Sequence, residues 1–246
     1  MATPDPKSDL VRLVPLDAAS DDFLTVTSSA TEESYRALRL RKSGLPPRYR
    51  RHLKDLRWDW GDGHDEKRIA IVKICCDTVR AYRDASATPK TMLVHGAVGS
   101  GKTIIVGAMV YDLIWHGLDV YWRPYYAWRE AVKQGYNGDT PVDTEDPIAA
   151  AIDTPLLIWD DFGPENPRHH NCITEDAYEK VRHVVASRYT HERPTIITTN
   201  LDPEGLRKWL LNDAVILSRL REDSIRIDMS DMPDLRKIAK GDDHED

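Results

Sequence analysis

Short apolar runs alternate with longer segments of helical periodicity from residue 67 onward. The runs are rich in β-branched and large apolar residues and predict five strands: Met92–His95, Val120–Trp122, Leu156–Trp159, Thr195–Thr199 and Ser224–Ile227. The segments between and before them predict helices at Lys67–Tyr82, Lys102–His116, Tyr125–Lys133, Asp146–Ile152 and Thr174–Tyr189, and a further helix that starts at Pro203. Strands that alternate with helices indicate an α/β domain of three layers with a mostly parallel sheet.

The first part of the chain has a different pattern. Residues 1–30 lack sustained periodicity, apart from a short strand predicted at Leu10–Leu16, and a short basic helix is predicted at Glu32–Lys42. The segment Ser43–Pro47 contains one glycine and two prolines and interrupts that helix. We therefore predict three parts: a flexible N-terminal arm at residues 1–42, a folded domain at residues 43–238, and a disordered acidic tail at residues 239–246.

A phosphate-binding loop is predicted between the first of the five strands and the helix after it. Residues 96–103 read GAVGSGKT and satisfy the pattern G-x-x-x-x-G-K-[ST] in full. The glycines let backbone N–H groups turn toward phosphate oxygens, and the helix N-terminus favours negative charge. The residues expected to bind ATP are Gly96, Gly99, Ser100, Gly101, Lys102 and Thr103. Lys102 would reach the β- and γ-phosphates, and Thr103 would also be a ligand of Mg²⁺.

Polar residues follow two later strands, where an open α/β sheet collects its ligand residues. Asp160 and Asp161 directly follow the Leu156–Trp159 strand. Asp160 is predicted to hold Mg²⁺ through the waters bound to that ion, and Asp161 is predicted to be the general base. Asn200 follows Thr195–Thr199 and would position the attacking water or contact the γ-phosphate. The alternatives are that the two aspartates cap a turn and that Asn200 is only a turn residue.

Composition narrows the class of protein further. The 246-residue chain has a formal net charge of −7, which argues against indiscriminate binding to duplex DNA. A basic block between Thr31 and Trp60 could still attract phosphates, or could be a solvated helix face. No apolar run is long enough for a membrane span and no secretory signal is visible, so a cytoplasmic protein with no membrane partner is expected. Three cysteines without a pairing pattern agree with a reducing compartment.

Two local motifs allow more than one interpretation. The segment Tyr121–Arg129 contains five aromatic residues and two arginines, which suits either stacking on single-stranded nucleic acid or core packing; Tyr121 itself is expected in the core. The segment His169–Cys172 could suggest a metal, but no second pair of ligands accompanies it, and a loop with incidental histidines is the preferred interpretation.

The four segments GAVGSGKT, LLIWDDFG, PTIITTNL and LSRLRED, in this order, resemble the DnaC/IstB branch of the AAA+ ATPases. The lead-in SGLPPRYR resembles the one found there, and the match covers about residues 40–237. The resemblance implies a P-loop AAA+ three-layer sandwich with a five-stranded sheet, a short N-terminal extension and little or no lid domain. It also implies ATP and Mg²⁺ as ligands, single-stranded DNA as a partner, and an ATP-dependent ring or helix of subunits.

The resemblance assigns two arginines as well. Arg219 matches the arginine finger that reaches the γ-phosphate of a neighbouring subunit, and Arg236 is a less certain match to a second sensing arginine. Arg221 is a rival for either role, and a surface arginine on a helix is the alternative for Arg219. Two features depart from the family pattern: Trp159 stands where a small aliphatic residue is usual, and no cysteine precedes Cys75, so an N-terminal zinc-binding module is not expected.

The function expected from these features is an ATPase, stimulated by DNA, that loads a hexameric replicative helicase onto single-stranded DNA. A helper ATPase for a transposase has the same chemistry and differs in its partner. A nucleotide-gated DNA-binding adaptor with little turnover is a third hypothesis, against which the intact Asp160, Asp161 and Asn200 argue. A P-loop kinase is disfavoured because no Arg-rich lid over a second substrate is evident.

Overall fold

The structure is a computed structural model that describes residues 12–15, 23–26, 29–56, 65–136, 146–164 and 172–238. Seven strands are described: β1 Arg12–Pro15, β2 Phe23–Val26, β3 Met92–Gly96, β4 Val120–Pro124, β5 Leu156–Asp160, β6 Thr195–Thr199 and β7 Ile225–Met229. The nine described α-helices are α1 Ser29–Ser43, α2 Asp65–Arg83, α3 Lys102–Trp115, α4 Tyr125–Tyr136, α5 Pro147–Asp153, α6 Glu175–Thr190, α7 Pro203–Trp209, α8 Ala214–Arg221 and α9 Leu235–Ile238. Two 3₁₀ helices, Pro47–Tyr49 and Leu53–Asp55, lie between α1 and α2.

Five strands form one parallel sheet in the order β4-β5-β6-β3-β7. The three inner strands β3, β5 and β6 are buried at every position, because helices cover both faces of a parallel sheet. The edge strand β7 alternates between buried and exposed positions. The α/β class, the five predicted strands and their parallel arrangement are confirmed.

Two hydrophobic cores lie on opposite faces of this sheet, since successive strand residues point to opposite sides. Met92 and Val94 pack with α2 and α3, whereas Leu93 packs with α4 to α8. On β5, Ile158 belongs to the first core and Trp159 to the second. This alternation produces the three layers that the sequence predicts.

Local capping chemistry accounts for two of the predicted helix boundaries, the end of α3 and the start of α7. α3 stops before Gly117, which has φ +98°, and Leu118 N–H donates to the carbonyl of Leu113 at 3.0 Å. The carboxylate of Asp202 caps α7 by accepting from Gly205 N–H at 2.6 Å. Both boundaries therefore agree with the sequence.

The predicted basic helix near the N-terminus is α1, and its C-terminal half packs on the domain. The guanidinium of Arg36 lies 4.8 Å from the Trp115 ring, and Arg39 donates to Asp119 at 3.1 Å. The strand predicted at Leu10–Leu16 is observed over its described part as β1, which pairs with β2. The division into arm, domain and tail stays a prediction, and the tail lies outside the described residues. Within the described part of the chain, no helix is long and apolar enough to cross a membrane.

Most aromatic side chains of the segment around β4 and α4 lie in the core. Trp122, Tyr125 and Trp128 are at most 1% exposed, whereas Tyr126 is 54% exposed. Tyr121, which was expected in the core, is half-buried, and the guanidinium of Arg123 lies 4.1 Å from its ring. Of the segment His169–Cys172, residues 169–171 lie outside the described part, so the loop interpretation is untested there.

Candidate nucleotide-binding site

The loop between β3 and α3 has the backbone shape that its glycines permit. Gly99 and Gly101 have φ +83° and +95°, in the left-handed region that side chains disfavour. A Cβ on Gly99 would collide with the carboxylate of Asp234. Leu235 N–H also donates to the carbonyl of Gly99 at 3.0 Å, so the start of α9 closes on the loop.

Lys102 lies at the centre of the site, at the N-terminus of α3. Its ammonium donates to the carbonyls of Gly96 at 2.9 Å and Ala97 at 2.7 Å, and to Asn200 Oδ1 at 2.8 Å. Burial lowers the pKa of Lys102, while the charges of Asp161 and Asp160 act in the opposite direction. The structure therefore brings the predicted lysine and Asn200 into direct contact.

Asp160 is buried at the end of β5 and is held by two hydroxyl groups. Thr198 donates to its Oδ1 at 2.6 Å, and Thr103 donates to the same oxygen at 3.0 Å. Burial raises the pKa of Asp160, and the hydrogen bond from Thr198 partly opposes that effect. The sequence predicts that Thr103 and Asp160 hold Mg²⁺, and the two side chains are in contact. Both offer oxygen atoms, which are the ligands that Mg²⁺ prefers.

Asp161 differs from its neighbour in exposure and backbone. It is exposed, has φ +52°, and its N–H donates to the hydroxyl of Thr198 at 3.0 Å. A cavity of about 270 Å³ beside it is lined by Tyr126, Asp161, Phe162, Gly163, Pro164, Thr199, Asn200 and Leu201. The two predicted aspartates therefore have distinct environments, one buried and one open to solvent.

The loop fits a phosphate ligand, and the oxygen pair fits a magnesium ion. Ser100 Oγ is fully buried and has no hydrogen-bond partner within the described ranges, which is costly unless a ligand supplies one. The pKa shifts of Lys102 and Asp160 both disfavour the charged forms, so their mutual attraction does not offset their burial. A ligand with phosphate groups would place negative charge beside Lys102, and a divalent cation bound with it would place positive charge beside Asp160.

The two predicted arginines lie in different places. Arg236 lies on α9, near the phosphate loop. Burial is the main cause of the lowered pKa of Lys102, and the positive charge of Arg236 lowers it further. Arg219 is on α8, where its guanidinium lies 5.6 Å from the ring of Tyr189. It lines a different pocket together with Thr91 and Thr195, at the amino ends of β3 and β6.

Arg219 is therefore at the opposite edge of the sheet from Asp160 and Asn200. Strands of five residues span roughly 16 Å, which is longer than an arginine side chain. Arg219 does not reach the phosphate loop of its own chain. Arg221, on the same final turn of α8, is at the same edge.

Sequence reasoning missed two contributors to the site. Thr198 contacts Asp160 directly, and its only signal was the threonine pair before Asn200. Asp234 packs on Gly99 from a segment that was not predicted to be helical. Trp159, which departs from the family pattern, is accommodated because its ring stacks on Phe162, with ring centroids 5.3 Å apart, within a buried aromatic cluster that also includes Trp128.

This parallel sheet, with its phosphate loop and acidic strand end, has the same α/β fold as several solved structures of DNA-replication proteins. The chain is similar to the crystal structure of the DnaC helicase loader, with a TM-score of 0.57 and 18% identity over 74% of this chain and 99% of that one. It is similar to the crystal structure of DnaI, with a TM-score of 0.56 and 21% identity over 74% of this chain and 94% of that one.

A third similar structure is the replication initiator DnaA bound to AMPPCP and single-stranded DNA, with a TM-score of 0.52 and 18% identity. The match covers 75% of this chain and 50% of the DnaA chain. No protein-family model matches the sequence, and neither does any curated protein. At the level of fold, the predicted resemblance to DnaC-type AAA+ proteins is confirmed.

Proposed function

We propose that this protein binds ATP with Mg²⁺ and hydrolyses it to ADP and phosphate. The observation that carries the proposal is the contact network in which Lys102 meets Asn200 and Thr103 meets Asp160 at the carboxyl edge of the sheet. A cap for a turn would not require a buried lysine and a buried carboxylate in one cluster. The orphaned hydroxyl of Ser100 supports a phosphate ligand in the same loop.

In this proposal each side chain has one task. Lys102 and the loop N–H groups hold the phosphates, while Arg236 adds positive charge from α9. Thr103 and Asp160 hold Mg²⁺, which when bound neutralises charge on the phosphate oxygens. Asp161 accepts the proton of the attacking water, and the Asn200 amide orients that water. The exposure of Asp161 beside a cavity agrees with a base that works on water.

Arg219 would act on the nucleotide of a neighbouring subunit. Its position at the amino edge of the sheet supports this, because it cannot serve the site of its own chain. A guanidinium delivered from a neighbour would offset charge that develops in the transition state. The active site would then be complete only in an oligomer.

Mixing two inactive variants tests this arrangement. Lys102→Ala removes phosphate binding, and Arg219→Ala removes the finger, so each alone should hydrolyse ATP about 10³-fold more slowly or worse. A mixture would contain interfaces with an intact Lys102 from one subunit and an intact Arg219 from the other. Phosphate release should therefore reappear on mixing, in proportion to such interfaces. Activity of Arg219→Ala alone at the wild-type rate would refute the finger, and Arg221→Ala tests its rival.

The biological role that we propose is the loading of a hexameric replicative helicase onto single-stranded DNA. The similarity in fold to DnaC, DnaI and a DnaA bound to single-stranded DNA supports this role. A purified helicase is expected to bind the protein in an ATP-dependent manner and to unwind a DNA substrate faster in its presence. Lys102→Ala should abolish that stimulation.

The runner-up roles predict different results in the same assay. A transposase helper would show ATP hydrolysis without any effect on the helicase. An adaptor would bind ATP and DNA with no DNA-stimulated phosphate release.

A further inference from the structure

A strongly basic part of the chain runs from the middle of α1 into the two 3₁₀ helices that follow it. Residues 34–54 contain eight Lys and Arg side chains and no Asp or Glu, although the whole chain has a formal net charge of −7. A local excess of one sign produces a surface potential that the net charge does not cancel. What that potential attracts depends on which of the eight charges already have partners.

Two of the arginines on α1 are neutralised by carboxylates. Arg36 donates to Glu32 at 3.3 Å, and Arg39 donates to Asp119 at 3.1 Å. Ion pairs of this kind also neutralise exposed cations elsewhere in the described part of the chain, including Arg80 with Asp77, Arg83 with Asp84, Lys133 with Glu130 and Arg207 with Glu204. Pairing with a carboxylate is therefore common for the exposed cations of this acidic protein.

Four other cations of the segment differ, and we call them the basic patch: Arg41, Lys42, Arg48 and Arg51. All four are exposed, and none forms an ion pair with a carboxylate of the described residues. Arg51 donates to the backbone carbonyl of Arg48 at 2.9 Å, and the Arg48 guanidinium lies 4.6 Å from the centre of the Tyr49 ring. These contacts orient two guanidinium groups and leave their positive charge uncompensated.

The fold brings the two halves of the patch together. The first two cations are in the last turn of α1, and the other two lie on either side of Arg50. Arg50 donates to the carbonyls of Leu45 at 3.0 Å and Leu40 at 3.3 Å, so the segment folds back on the end of the helix. A Cβ on Gly44 would collide with the Arg123 side chain, which places a further guanidinium against the same turn. The patch is therefore one surface rather than two separate runs.

An exposed aromatic ring lies on the same helix as half of the patch. Tyr35 is 58% exposed and precedes Lys42 by seven residues on α1, so the two side chains share one face of the helix, roughly 10 Å apart along its axis. A single strand of nucleic acid uses both kinds of group, because its phosphates contact cations and its bases stack on aromatic rings. An acidic protein surface would use the cations alone and would leave the ring without a role.

We propose that the basic patch and Tyr35 bind single-stranded DNA, the patch through the phosphates and Tyr35 through a stacked base. This inference rests on the proposed loading role and names the surface that would hold the strand. Arg41 and Lys42 also complement the negative end of the α1 dipole, but that effect requires neither Arg48 nor Arg51. The four cations repel one another, and a polyanion that lies across them removes this cost.

The salt dependence of DNA binding measures how many of these charges contact phosphates. The assay is the fluorescence anisotropy of a labelled oligothymidylate, titrated with the full chain at several KCl concentrations in the presence of Mg²⁺ and ATP. The test variant replaces the four cations of the patch by glutamine. Its matched control removes four charges from ion-paired side chains: Arg80→Gln, Arg83→Gln, Arg207→Gln and Lys208→Gln.

The test variant should bind the oligonucleotide about tenfold more weakly or worse. Its slope of log affinity against log salt should become shallower by about 3, since each phosphate contact with a single strand contributes roughly 0.7. The control should match the wild type in both quantities. A double variant, Arg41→Gln/Lys42→Gln, leaves the hydrogen bonds of Arg50 and Arg51 in place and should produce about half of the change in slope.

Tyr35 is tested separately, because stacking adds affinity without adding a phosphate contact. Tyr35→Ala should weaken binding about fivefold or more, while the salt slope stays at the wild-type value. Unlabelled single strand should compete with the labelled oligonucleotide better than a duplex of the same length, since paired bases are not available to the ring.

Three results would overturn the inference: an unchanged salt slope in the test variant, equal losses of affinity in the test variant and its control, or equal competition by single strand and duplex. Each of them leaves the proposed ATP site untouched. If the wild-type protein hydrolyses ATP but binds no single-stranded DNA at any salt concentration, the loading role itself is refuted, rather than only the surface assigned to it.

Discussion

Replacing Asp160 by asparagine should separate the stability of the fold from its proposed function. The carboxylate is 6% exposed, and its hydrogen-bond donors Thr103 and Thr198 are neutral hydroxyls. Burial raises its pKa above the ordinary 3.8, which means that the folded protein disfavours the charged form. Asparagine keeps an oxygen as acceptor for both hydroxyls and removes the charge.

The sign of the stability change follows from linkage. A group whose folded pKa is raised costs nothing at low pH, where it is protonated in both states. The cost grows as the pH rises above 3.8, through the pKa of the unfolded chain and then that of the folded chain. At pH 7 without Mg²⁺, Asp160→Asn should therefore raise the unfolding free energy, by about 0.5–2 kcal/mol if it behaves like other stabilising changes.

Urea unfolding at pH 7 and at pH 4, with and without Mg²⁺ and ATP, measures this effect. The gain of Asp160→Asn over wild type should shrink at pH 4, and the stabilisation of wild type by Mg²⁺ and ATP should be lost in the variant. Asp161→Asn is the matched control, because that carboxylate is exposed and its removal should leave stability within about 0.5 kcal/mol. If Asp160→Asn unfolds at lower urea than wild type at pH 7 without ligands, the burial argument is wrong.

Three further substitutions test the loop, the sheet edge and the aromatic core. Gly99→Ala should cost roughly 1–2 kcal/mol of backbone strain and also weaken ATP binding, because the new Cβ displaces the Asp234 carboxylate from the loop. Gly117→Ala, with φ +98° and open space around it, should cost strain alone. Nucleotide titration and urea unfolding compare the two variants, and unchanged ATP affinity in Gly99→Ala would contradict the loop geometry. Arg188→Met should destabilise the fold by about 3 kcal/mol or more, because Arg188 is 1% exposed and donates to five backbone carbonyls near the amino ends of the strands. A loss of unfolding free energy below about 1 kcal/mol in urea would show that water replaces these hydrogen bonds. Trp159→Ala should cost about 3–5 kcal/mol as a core cavity, and a smaller loss in urea unfolding would mean that the aromatic cluster collapses around it.

The fold was largely predictable because its strands are buried on both faces. Complete burial favours apolar runs such as Leu156–Trp159, which are easy to recognise in a sequence. α8 and α9 were harder to predict: α9 has only four residues, and the periodicity of α8 extends over little more than two turns. β2 is a four-residue strand whose pairing with β1 depends on a contact that sequence periodicity does not report.

The residues of the candidate site were likewise only partly predictable from the sequence. The residues at strand ends and in the glycine loop were predictable because chain order fixes their edge of the sheet. Thr198 is also at that edge, but only the structure reveals that its hydroxyl joins Asp160 to the backbone of Asp161. Asp234 reaches the site from a segment distant in sequence, and a linear pattern carries no information about that approach.

The most direct test of ATP hydrolysis at this site is to measure nucleotide binding and phosphate release together for wild type and Asp161→Asn. Asparagine tolerates the left-handed backbone at this position, so the substitution removes the proposed base without new strain. We predict that wild type binds ATP with Mg²⁺ and releases phosphate, whereas Asp161→Asn keeps its ATP affinity and releases phosphate at least about 10²-fold more slowly. Wild-type phosphate release from the variant, or no ATP binding by the wild-type protein, would contradict the proposed site.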